Sequence, residues 1–98
     1  MRLPVAVVEV TLMSPLSPES LAARVRDGMP RLIDDLRRMV AIPSIAFPGF
    51  PPEPVLEDAE LTAELLREAG CNVRFLELPD SPPAVFGEIP APAGAGTV

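Results

Sequence analysis

Residues 32–45 read LIDDLRRMVAIPSI. Leu32, Ile33, Leu36, Met39 and Val40 recur every three or four positions, the spacing of one helix face. Asp34, Asp35, Arg37 and Arg38 fall on the opposite, solvated face. The helix must stop near Pro43, because a proline pushes the residue before it, Ile42, out of the helical region. Working back toward the N-terminus, Met29, Val25, Ala22 and Leu21 keep the same apolar phase. Ser17-Pro18-Glu19 is a helix start: Ser17 caps, Pro18 suits the first turn, and Glu19 meets the positive end of the dipole. Gly28 and Pro30 interrupt this run without shifting its phase. One long helix kinked near Pro30 is therefore expected, with a break at Gly28–Met29 as the alternative, since an interior proline costs about 3 kcal/mol if unrelieved. Asp27 with Arg31 and Asp34 with Arg38 stand four apart, acid first, and are expected to pair.

Beyond Pro43, Ala46–Pro54 is a proline-rich loop. A second helix is expected over Val55–Ala69, ended by Gly70 in the left-handed position. Gly70–Leu78 reads as a strand, with Val73 and Phe75 on one side and Arg74 on the other. Pro79–Pro83 is a short connection and Ala84–Ile89 a second strand, so the pair is antiparallel. Pro90–Gly96 is a loop, and Thr97-Val98 reads as the start of a third strand. The fold class is α/β: two helices, an antiparallel hairpin and that third strand. Two helices and two short strands cannot close around one another on every side, so the helix stripe and the hairpin want partners.

The 98 residues suffice for one small domain. An apolar fraction of 48% argues for a packed core rather than disorder. The net charge is −6 and no Lys/Arg cluster could neutralise a phosphate backbone, so nucleic acid is not expected as a partner. One Cys forms no internal disulfide and suits a reducing, cytoplasmic location. Residues 1–16 open with an apolar run, but Pro4 and Glu9 interrupt it and Ser14-Pro15 is a poor cleavage context for a secretory signal. These residues read as a ragged or mis-started N-terminus, or as a short strand over Val5–Leu12. No apolar stretch approaches the roughly 18 residues that span a membrane.

The candidate reactive groups are few. The chain contains no His and one Cys, so an ordinary zinc site cannot be assembled from its own residues. Glu60, Glu64 and Glu68 share a face of the second helix, joined on that helix by Glu57. A solvated acidic surface explains them better than an ion site. Cys71 lacks a histidine base and reads as a small buried apolar residue. Ser44 also lacks a base and suits a turn or cap. Gly94-x-Gly96 precedes no helix, so it is a flexible turn rather than a phosphate loop.

The order of these pieces carries a resemblance. Leu36-Arg37-Arg38-Met39-Val40-Ala41-Ile42-Pro43-Ser44 is followed by Ala63-Glu64-Leu65-Leu66-Arg67-Glu68-Ala69-Gly70. Then come Asn72-Val73-Arg74-Phe75, Pro83-Ala84-Val85-Phe86-Gly87-Glu88-Ile89 and Thr97-Val98. From about Leu21 to Val98 this resembles the opening of the zinc-dependent exopeptidases, the family of dipeptidases, carnosinases, aminoacylases and desuccinylases, and its spacing is most similar to the dipeptidase branch. The resemblance implies that residues 17–98 are the N-terminal part of a catalytic domain, cut before its metal ligands. It implies a full-length two-zinc hydrolase of amide bonds in dipeptides or N-acyl amino acids, in which His-x-Asp follows the strand begun at Thr97-Val98. No catalytic or metal residue and no cofactor transfers to this chain; zinc would belong to the full-length form, as would a small peptide substrate. The matching residues have scaffold roles: Leu36 and Val40 pack the first helix, Ile42-Pro43-Ser44 shape its exit, and Gly70 ends the second. The chain alone is expected to be inactive and to associate with the remainder of its domain. The alternatives are a non-enzymatic module that docks a partner through its apolar helix face, and a small metal-free regulator of unrelated descent.

Overall fold

A computed structural model describes residues 17–97. It contains two helices, α1 (Pro18–Ala41) and α2 (Glu53–Glu68), followed by two strands, β1 (Asn72–Leu76) and β2 (Ala84–Glu88). The described chain divides into two compact units at Leu32/Ile33. None of the described helices is long and apolar enough to cross a membrane. The expected strand over Val5–Leu12 and the nature of residues 1–16 lie outside the described residues, as does Val98.

In the first unit, Ser17 caps α1 as its chemistry requires. Its Oγ accepts the Ser20 N–H at 3.1 Å, and the Leu21 N–H reaches the Ser17 carbonyl at 3.0 Å. Helix α1 then runs unbroken through Gly28 and Pro30, so the alternative break at Gly28–Met29 is absent. Good helix formers on both sides carry the helix across the one hydrogen bond that Pro30 cannot make.

The second unit holds the rest. At the end of α1 the Ile42 N–H bonds the Met39 carbonyl at 3.2 Å, tightening the last turn before Pro43. The Ser44 and Ile45 N–H groups then turn back on Ile42 and Pro43, at 2.8 and 3.0 Å. The ion pairs of this helix follow three-residue rather than four-residue spacing. Arg37 meets Asp34 at 3.0 Å and Arg38 meets Asp35 at 3.3 Å, so the expected Asp34–Arg38 pair is replaced. Both spacings bring side chains together on a helix, and here Arg38 also leans toward Glu64 of α2, at 3.9 Å.

Helix α2 starts two residues earlier than its apolar pattern implied. Pro54 falls in the first turn, where a missing N–H costs nothing. Its end is a Schellman motif. Gly70 sits at φ +94°, its N–H bonds the Arg67 carbonyl at 2.9 Å, and the Cys71 N–H bonds the Leu66 carbonyl at 3.0 Å. The motif consumes Gly70 and Cys71, so β1 begins at Asn72 rather than at Gly70. The far ends of both strands are also shorter than expected. Leu78 and Ile89 each precede a proline, which supplies no ladder donor. The connection accordingly spans Glu77–Pro83.

The strands pair antiparallel, with Val73 opposite Gly87, Arg74 opposite Phe86 and Phe75 opposite Val85. Helix α2 packs against both strands. Ala63 is the single fully buried apolar residue among those described, and Leu61, Leu65, Leu66, Val73, Phe75 and Val85 are half-buried around it. Gly87 lets the helix approach. A Cβ there would lie 3.0 Å from Leu66 Cδ1 and 3.4 Å from Cys71 Cβ. On the outer face the Arg74 guanidinium lies 4.8 Å from the centre of the Phe86 ring. Thr97 lies in no strand, and Val98, the other residue of the expected third strand, lies outside the described residues. A strand needs a ladder partner, and the described hairpin pairs only with itself.

Candidate functional site

The residues of the Ile-Pro-Ser stretch separate into two environments. Leu36 and Val40, expected to pack α1, are 58% and 75% exposed. No residue of α1 is buried within the described residues. Nothing in the described second unit covers Leu36 and Val40, which meet solvent, while Met39 beside them is half-buried. Ile42 is half-buried and Pro43 exposed.

Ser44 does more than turn the chain. Its Oγ donates a hydrogen bond of 2.8 Å to Asp58 Oδ2, fourteen residues on, tying the exit of α1 to the first turns of α2. Asp58 was not singled out in the sequence. Its spacing could have revealed it, because it stands beside Ala59 on the apolar face defined by Val55, Thr62 and Leu66. Its second oxygen, Oδ1, is buried with no hydrogen-bond partner among the described residues. Such a group is costly to leave unsatisfied, by about 1–3 kcal/mol.

Two surface depressions flank this tie. One has an apolar floor of Ala41, Ile42, Pro43 and Leu61, rimmed by Arg38, Arg67, Glu57, Glu60 and Glu64. The other is a cavity of about 430 Å³ between the proline-rich loop and the hairpin connection, lined by Phe47, Phe50, Val55, Leu56, Pro82 and Asp80 among others.

The acidic residues of α2 do not converge. Among the described residues, no three Asp, Glu or Cys side chains stand together as metal ligands would. With no His and one Cys in the whole chain, the donor set does not fit a zinc ion. Cys71 is a half-buried free thiol at the end of α2, where Leu66 crosses Gly87. Gly70 takes the left-handed conformation expected of it. The turn at Gly94 is also left-handed, at φ +81°, and no helix follows it.

No protein-family model matches the sequence. Neither a curated protein nor a solved structure matches it.

Proposed function

We propose that this chain is scaffold from the opening of a two-zinc, dipeptidase-like hydrolase, and that it has no hydrolytic activity alone. The supporting observation is the element order. A long helix leaves through Ile42-Pro43-Ser44, a second helix ends at Gly70, and an antiparallel hairpin follows. The open apolar face at Leu36 and Val40 adds to this reading, because a catalytic remainder would bury it. The metal ligands and the general base would come from residues outside these 98, and so would recognition of a small peptide or N-acyl amino acid. The setting is cytoplasmic, in keeping with a lone unpaired Cys.

The gene sequence past the codon for Val98 tests the parentage. An in-frame or frameshifted continuation encoding an apolar strand and His-x-Asp supports it, and a continuation without them overturns it. Zinc-dependent dipeptide hydrolysis by the purified chain would overturn the assignment of inactivity.

A second reading rests on the same exposed helix face: a non-enzymatic module that docks a partner through Leu36 and Val40. A sharp, cooperative monomeric melt of the isolated chain favours that module. Aggregation, or loose packing rescued by a catalytic remainder, favours the scaffold.

A further inference from the structure

We draw no further inference here: the strongest candidate, the exposed apolar patch of α1 at Ile33, Leu36 and Val40, belongs to the surface already described, and nothing in the structure shows what covers it.

Discussion

The hydroxyl of Ser44 donates to Asp58 Oδ2 at 2.8 Å, and this bond joins the exit of α1 to α2. Both residues are half-buried, and the other Asp58 oxygen already lacks a partner. Ser44→Ala would leave the whole carboxylate without a donor, so it should destabilise the chain by about 1–2 kcal/mol. A double-mutant cycle with Asp58→Ala, followed by urea unfolding, measures the coupling. Additivity of the two single changes would show that the bond contributes nothing.

Two glycines should respond with opposite signs. Gly70 sits at φ +94°, where a Cβ is strained, so Gly70→Ala should cost about 1 kcal/mol or more, and Gly70→Asn less. Gly28 lies inside α1 with open space around it. Gly28→Ala should therefore stabilise by roughly 0.5–1 kcal/mol and raise helicity by circular dichroism. A loss of helicity on Gly28→Ala would contradict the continuous helix.

At Gly87 the outcome should depend on side-chain size. Alanine gains strand propensity but meets the flexible end of Leu66 at 3.0 Å, so Gly87→Ala should be near neutral. Gly87→Leu would overpack the contact between α2 and the hairpin, at a cost of about 1–3 kcal/mol. Thermal melts of the two variants separate these cases, and equal melting temperatures would refute the close approach.

The α1 face gives a prediction about function. Leu36→Ser and Val40→Asp remove apolar side chains that are more than half exposed. Each should change the stability of the isolated chain by no more than about 0.5 kcal/mol. Under either functional reading the same changes should abolish association with the catalytic remainder or the docking partner, measured by co-purification or ultracentrifugation. Large destabilisation of the isolated chain would mean that the face is already covered.

Local chemistry was legible wherever one residue decides the outcome. Ser17 caps, Pro43 stops α1, Gly70 turns the chain out of α2, and the alternation around Arg74 places Val73 and Phe75 on the helix side. The candidate site was legible only in its backbone devices. Ser44 read as a turn residue because its partner lies fourteen positions away, on a helix whose orientation no local pattern states. The Phe47–Phe50 turn read as loop, since only the hairpin connection opposite makes a cavity of it.

The sequence by itself determined the two helices, the start and stop of α1, the glycine end of α2, the pairing sense of the hairpin and the lack of histidine ligands. These depend on backbone sterics, hydrogen-bond supply and composition, which act over a few residues or none. Tertiary structure alone decided that Ser44 meets Asp58, that Gly87 admits Leu66, and that Leu36 and Val40 stay exposed while α2 packs on the strands. Periodicity marks a face as apolar, but burial requires a second surface of matching shape, and that follows only from where the chain has placed its other elements.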